Sequence, residues 1–216
     1  MDEKLVLYAD EVSPPARFLM MTVSLLKIEV NIQKIDLFKG ENKSEAYSKI
    51  NPLQKVPALM VENKSIVDSH AAAIYLCQRS SSQDLYPSDL FLRAKVNEML
   101  FFNSSTLFRL DSEIISNYFS GNWPVSESKI EEWHRALDYI ESILNQNIWL
   151  TGDKMMLCDI CIMQTITSME LCVPITERHK KIGNWMNKFE NLPCIDINKR
   201  GLARFKHYID LYKPEK

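Results

Sequence analysis

Apolar and polar positions follow two different periods along this chain, and the change falls near residue 80. Before it, short alternating runs that are typical of half-buried strands are interleaved with runs of helical period. The pattern predicts strands over 4–8, 30–35, 58–62 and 65–67, with helices over 17–27, 44–50 and 71–78 and a hairpin turn at Asn63-Lys64. The order is β-α-β followed by β-β-α, which is a small α/β unit.

The remainder of the chain shows only the helical period. Predicted helices cover 89–118, 126–146, 157–171, 177–190 and 198–211. A run of serines ending in Tyr86-Pro87 separates the two parts and is typical of a linker. We therefore expect an α/β domain over 1–80, a linker over 81–88 and an all-helical domain over 89–216.

Composition excludes several classes of function. The 216 residues include only 5 glycines, and no two are close enough for a dinucleotide-binding or phosphate-cradling glycine motif. The net charge is −2, with a basic segment over 178–216 and an acidic one over 81–177. We expect the basic residues to clothe a solvated face that complements the acidic middle, and we expect no nucleic-acid partner.

The compartment is predicted from apolar runs and cysteines. The N-terminus lacks the features of a signal peptide, and the longest apolar runs are about half of a membrane span. Five scattered cysteines fit reduced, packed thiols, so we expect a cytoplasmic protein without membrane insertion. Cys158 and Cys161 form a C-x-x-C pair, but no second pair has ligand spacing, so no metal site is predicted. His134, His179 and His207 are expected to be exposed.

Three short segments of the α/β unit carry candidate chemistry. Ser13 stands where the first strand gives way to a helix, so its hydroxyl could donate to an anion, or could simply cap the helix. Val56 precedes Pro57 at a strand start, where backbone groups could pair with an extended peptide, unless this is an ordinary trans-proline. Asp68 and Ser69 begin a helix and could bind a peptide's ammonium and carboxylate groups, or only cap that helix.

In this order the three motifs resemble the insect cytosolic glutathione S-transferases. The motifs are Ser-Pro-Pro-x-Arg at 13–17, Asn-Pro-x-x-x-Val-Pro at 51–57 and Asp-Ser-His-Ala at 68–71, and the third is similar to that of the epsilon class. The stretches 36–41 and 107–112 further resemble the Noppera-bo subfamily. The resemblance implies a thioredoxin-like N-terminal domain joined to a C-terminal helical bundle.

The same resemblance implies a role for each of these candidate residues. Ser13 would activate the thiol of glutathione, with Tyr8 as a rival activator. Glutathione, the co-substrate, would be bound by Asn42, Gln54, Lys55, Val56, Pro57, Asp68, Ser69 and His70. Epsilon enzymes usually have histidine at the position of Gln54, so one charged contact is replaced by a neutral one.

A second set of residues is expected to hold a hydrophobic substrate. Asp111 lies on one predicted helical stripe, where a carboxylate is costly without a partner. The other members of the stripe are Leu100, Ser104, Leu107, Phe108 and Ile115. Asp111 could meet an arginine, or, as the subfamily implies, accept a hydrogen bond from a steroid hydroxyl. The implied pocket consists of Pro14, Leu37, Phe38, Phe108, Asp111 and Ile115.

The expected function is that of a glutathione transferase acting on hydrophobic electrophiles, with a steroid-binding role in ecdysteroid biosynthesis. Two alternatives stay open. One is a non-catalytic sterol carrier that uses glutathione as a structural ligand. The other is a scaffold module that borrowed the fold. The family further implies a homodimer.

Overall fold

The computed structural model describes residues 4–80 and 84–212. A four-stranded sheet occupies the first part, with strands β1 (Leu5–Ala9), β2 (Asn31–Lys34), β3 (Ala58–Val61) and β4 (Lys64–Ile66). The spatial order is β2-β1-β3-β4, in which β1 is parallel to β2 and antiparallel to β3, and β3 is antiparallel to β4. The crossover that makes β1 and β2 parallel is a helix, as the β-α-β pattern requires.

Three helices belong to this first part: α1 (Pro14–Leu26), α2 (Glu45–Ser48) and α3 (Ser69–Arg79). A 3-10 turn, Glu41–Lys43, lies within the segment predicted as loop. The predicted hairpin turn is wrong by one residue, because Glu62 takes a left-handed conformation with φ of 53° and the turn is Glu62-Asn63. The thioredoxin-like order of strands and helices is confirmed.

The second part consists of helices α4 (Leu90–Phe102), α5 (Phe108–Phe119), α6 (Glu127–Leu144), α7 (Leu157–Met169), α8 (Lys180–Asn187) and α9 (Ile195–Tyr212). The helix predicted over 89–118 is confirmed as one continuous helical stretch, but the π-helical turn Asn103–Leu107, which the pattern did not predict, divides it into α4 and α5. The helix predicted over 177–190 is likewise divided, since 3-10 turns at Glu177–His179 and Lys188–Asn191 flank α8. Residues 81–83 of the predicted linker lie outside the described residues.

Helix α7 is the centre of the helical part and is buried along nearly its whole length. The carboxylate of Asp159 holds its beginning. It accepts hydrogen bonds from the backbone N–H groups of Leu150 (2.9 Å) and Met156 (2.8 Å), and from the Trp185 indole (3.0 Å). A buried acid is tolerated here because its oxygens are saturated with donors.

Charged contacts join α9 to the first part of the chain. Arg204 pairs with Asp10 and with Asp36, the latter at 2.9 Å, and Arg200 pairs with Glu11 at 2.7 Å. The expectation that basic residues complement the acidic middle is therefore only partly right. It holds for Arg178, which contacts Asp138 at 3.1 Å, whereas α9 faces acids near the N-terminus. Among the described helices, none combines the length and the apolar character needed to cross a bilayer.

Candidate active site

A cavity of about 660 Å³ lies between the two parts of the chain. All six residues expected to hold a hydrophobic substrate line it together with Ser13: Pro14, Leu37, Phe38, Phe108, Asp111 and Ile115. Asn42 reaches its rim. Pockets of this size and of mainly apolar lining are typical of small-molecule sites.

Ser13 stands at the end of the β1–α1 connection, immediately before helix α1. Its backbone is extended (φ −78°, ψ 123°), and Pro14 and Pro15 form the first helical turn. Within the described chain, the Ser13 hydroxyl makes no capping hydrogen bond, so the pure capping interpretation is not supported. The hydroxyl is thus placed on the cavity wall at a helix N-terminus, where the peptide dipoles favour an anion.

A buried carboxylate holds the loop that carries Ser13. Asp10 is 1% exposed, and it accepts hydrogen bonds from the backbone N–H groups of Val12 (3.2 Å) and Leu37 (3.0 Å). Arg204 of α9 contacts the same carboxylate. Asp10 therefore ties together the Ser13 loop, the Leu37 loop and the last helix.

The candidate glutathione-binding residues 54–57 enter strand β3. The Val56–Pro57 peptide bond is cis, and Val56 precedes Ala58, the first residue that β3 pairs with β1. Asn42 Nδ2 donates to the carbonyl oxygen of Gln54 at 2.7 Å, while the Lys55 carbonyl accepts from Tyr47 and Asn51. These hydrogen bonds to backbone carbonyl groups hold the segment in place, and the Val56 side chain is itself buried.

Asp68 and Ser69 begin helix α3. Asp68 Oδ1 accepts from the N–H of Ala71 at 2.8 Å, and the carboxylate is largely exposed. A hydrogen bond from His70, together with that N–H, outweighs partial burial and lowers the pKa of Asp68 to about 2. The imidazole of His70 has Asp68 on one side, 3.7 Å away, and the sulfur of Cys161 on the other, 3.3 Å away.

Asp111 lies on α5 and is 4% exposed, with one carboxylate oxygen, Oδ1, that has no hydrogen-bond partner among the described residues. Burial raises the pKa of Asp111 to about 7, although the charge of Arg17 opposes the shift. The predicted alternative was that Asp111 pairs with an arginine. The structure shows only the nearby charge of Arg17. An unpartnered buried acceptor on a cavity wall is the site's strongest indication of a polar ligand group.

The stripe predicted for Asp111 needs correction. The π-helical turn adds a residue to the local helical period, so Leu100 belongs to the buried core and Ser104 lines a separate small cavity. Of the residues on the predicted stripe, three line the large cavity: Phe108, Asp111 and Ile115. The rotation of the side chains follows from the wider turn, which sequence periodicity does not reveal.

Sequence reasoning missed the aromatic residues that complete the cavity. Phe119 at the end of α5 and Phe205 of α9 both line it. Phe205 lies in the basic segment 178–216, for which the charge pattern predicts a solvated face. The apolar positions at 3–4 residue steps in that helix, Phe205 and Ile209, were the available signal.

The remaining candidates are placed as follows. Tyr8, the rival activator, packs edge-on against Tyr47 and is not among the residues lining the large cavity. The prediction for His179 is wrong, because its side chain is fully buried and lies 3.0 Å from Asp138. In the described chain, no group of three or more His, Cys, Asp or Glu side chains has the geometry of a metal site.

Comparison with known proteins gives one consistent result. The family model of the glutathione S-transferase N-terminal domain matches residues 4–78, and that of the C-terminal domain matches residues 105–193. Glutathione S-transferase 1 of Manduca sexta is 33% identical over 87% of this chain and 88% of its own length.

Solved structures agree over almost the whole chain. The epsilon-class glutathione S-transferase of the housefly, Musca domestica, has a TM-score of 0.93 at 28% identity, covering 99% of this chain and 100% of its own. A glutathione transferase homologue of Drosophila mojavensis, solved with bound glutathione, has a TM-score of 0.91 at 28% identity, covering 97% and 98%.

Proposed function

This chain belongs to the insect glutathione S-transferase family, and we propose that it joins glutathione to a hydrophobic electrophile in the large cavity, with Ser13 activating the thiol. The observation that supports this most directly is the hydroxyl of Ser13, which lies on the cavity wall and is not used to cap α1. The thiolate would attack the electrophilic carbon, and the leaving group would depart with the bonding electron pair.

The energetics of activation are modest. A free thiol has a pKa of about 8.5, so only a few per cent is thiolate at neutral pH. A hydrogen bond to a charged acceptor contributes about 1.5–3 kcal/mol, which is equivalent to lowering the thiol pKa by one or two units. The dipole of α1 acts in the same direction.

The remaining parts of glutathione have matching groups. We assign the γ-glutamyl ammonium to the Asp68 carboxylate, which stays ionised well below neutral pH. Its carboxylate would bind the N-terminus of α3 at Ser69, with His70 holding Asp68 in place. The cysteinyl backbone would pair with Val56, and the glycine carboxylate would lie near Asn42, Gln54 and Lys55.

The part of the cavity around Asp111 suggests the class of substrate. Oδ1 of Asp111 lacks a partner and is surrounded by apolar groups such as Phe108 and Ile115, so a ligand hydroxyl would satisfy it. A rigid, mainly apolar molecule with a hydroxyl at one end has this form. We therefore infer a steroid ligand and a role in ecdysteroid biosynthesis as in the Noppera-bo subfamily. On the family resemblance alone we also propose a homodimer, and on the five free cysteines a cytoplasmic location.

Two titrations by calorimetry test the proposal. We expect the purified protein to bind reduced glutathione with saturation, and to bind a hydroxylated steroid in addition rather than in competition. Absence of heat with glutathione would overturn the assignment of the whole site. Binding of glutathione but of no steroid would overturn only the role given to Asp111.

Conjugation assays address the carrier alternative. If steroid binding is intact but a small electrophile such as chlorodinitrobenzene is not conjugated, the protein is a carrier that holds glutathione as a structural ligand. We expect conjugation, because Ser13 is free to donate.

A further inference from the structure

A buried thiol, a mostly buried imidazole and an exposed carboxylate lie in a row beside the proposed glutathione site. The sulfur of Cys161, on α7, lies 3.3 Å from Nε2 of His70, on α3. Nδ1 of His70 lies 3.7 Å from Asp68. A nucleophile, a base beside it and a third group that orients the base together form the arrangement that activates nucleophiles in enzymes.

Asn103 also contacts the sulfur. Its Oδ1 accepts from the hydroxyl of Thr165 at 2.9 Å, and its Nδ2 donates to the sulfur of Cys161 at 3.2 Å. Because Asn103 acts as a donor to the sulfur, His70 is the neighbouring group that can take the proton of the thiol.

The surroundings of the imidazole favour its charged form. Burial disfavours a charged imidazole, yet the sulfur of Cys161 and the carboxylate of Asp68 outweigh it and raise the pKa of His70 to about 10. The other buried thiols lack such partners. Burial raises the pKa of Cys77 to about 12 and that of Cys158 well above its ordinary value.

A small cavity reaches the sulfur despite its burial. Cys161 is 3% exposed, but it lines a cavity of about 100 Å³ together with Ser69 and His70. A water molecule occupies about 30 Å³ of liquid, so the space beside the sulfur admits a molecule of only a few atoms. The reactant must therefore be small.

We propose that Cys161 is an oxidation site for small hydroperoxides, activated by His70. The sulfur attacks the O–O bond, an S–O bond forms as the O–O bond breaks, and the departing oxygen takes the proton of the imidazolium. The products are the sulfenic acid of Cys161, neutral His70 and water or an alcohol; sulfur is oxidised by two electrons and the peroxide is reduced. The inference does not depend on glutathione binding.

The test uses the full-length protein, reduced and then separated from the reductant. The folded protein is exposed to hydrogen peroxide for timed intervals and then unfolded in the presence of dimedone, so that this probe reaches every sulfenic acid. Peptide mass spectrometry then gives a labelling rate for each cysteine. We expect Cys161 to be labelled at least about tenfold faster than Cys158, since an unactivated thiol is only a few per cent thiolate at neutral pH. Equal rates at these two positions of the wild-type chain would overturn the proposal.

Variants test the part played by the imidazole. His70→Gln keeps a polar side chain of similar size and should slow the labelling of Cys161 about tenfold, because the base that takes the proton of the thiol is removed. His207→Gln, on the exposed face of α9, is the matched control and should leave the rate unchanged. An unchanged rate in His70→Gln would show that His70 does not activate the thiol, and would overturn the proposal.

Discussion

Arg17 Nη1 donates a hydrogen bond of 2.9 Å to the carbonyl oxygen of Val12, the residue that precedes Ser13. The same nitrogen donates to the carbonyl oxygen of Glu11 at 2.8 Å. The guanidinium is fully buried and also donates to Gln164 and Ser168 of α7. Arg17 therefore fastens the loop that carries the candidate catalytic hydroxyl to helix α7.

Replacing the hydroxyl tests its chemical role. In Ser13→Ala, we expect conjugation of a small electrophile to fall about ten- to hundredfold, the equivalent of one hydrogen bond to a thiolate. Steroid binding should be unchanged. Steady-state kinetics with saturating glutathione measure the first and calorimetry the second.

Ser24→Ala is the matched control for Ser13→Ala, because Ser24 lies on the exposed face of the same helix. Its conjugation rate should equal that of the wild type. A wild-type rate in Ser13→Ala itself would show that another group activates the thiol.

Removing the acceptor on α5 tests the assignment of the ligand hydroxyl. We expect Asp111→Ala to weaken binding of a hydroxylated steroid about ten- to hundredfold, because a buried hydrogen bond is lost and the hydroxyl of the ligand is left without a partner. A steroid with a ketone at the same position should lose much less affinity. Conjugation of small electrophiles should stay near normal, and equal losses in all three measurements would contradict the hydrogen-bond role.

The stability of the protein should depend on pH through Asp111. Its folded pKa of about 7 lies above its ordinary value of 3.8, so between the two the folded state binds more protons than the unfolded state. This group's contribution to stability is complete at acid pH and is lost as pH rises to about 7. Each pH unit in this window costs at most about 1.4 kcal/mol.

Asp111→Asn cannot titrate, so its free energy of unfolding should decline less with pH in that window than that of the wild type. Denaturant titrations at several pH values measure the difference. Asp159, whose pKa burial raises to about 6, is present in both proteins and cancels in the comparison. Parallel curves for the two proteins would show that Asp111 does not titrate there.

Gly201 of α9 lies directly against the loop that Arg17 fastens. A Cβ there would stand 2.1 Å from the Glu11 carbonyl oxygen and 2.6 Å from Cδ of Arg17. Gly201→Ala should therefore lower the free energy of unfolding by about 1–3 kcal/mol or more, as overpacking does. Denaturant unfolding at fixed pH provides the measurement.

Gly183 of α8 offers the control, because a Cβ there would meet only the Ile175 side chain at 3.8 Å. Gly183→Ala should be neutral or stabilising by up to about 1 kcal/mol, since alanine is the better helix former. Equal effects of the two substitutions would contradict the close approach of α9 to Glu11.

Much of the architecture follows from local sequence, because hydrophobic period and turn chemistry act over a few residues. The alternating runs around Leu7 and Leu59 predict strands, and the helical period after residue 89 predicts the helices. The prolines after Ser13 likewise predict a helix start, which α1 confirms.

Tertiary structure decided what those local rules do not encode. The π-helical turn at Asn103–Leu107 interrupts the regular helical period between Leu100 and Asp111, and the pattern of apolar residues does not show it. The contact between His70 and Cys161 spans 91 positions, and that between Arg204 and Asp10 spans 194. Such pairs form only when many packed helices and strands fix the relative positions of distant segments, so no short window of sequence contains them.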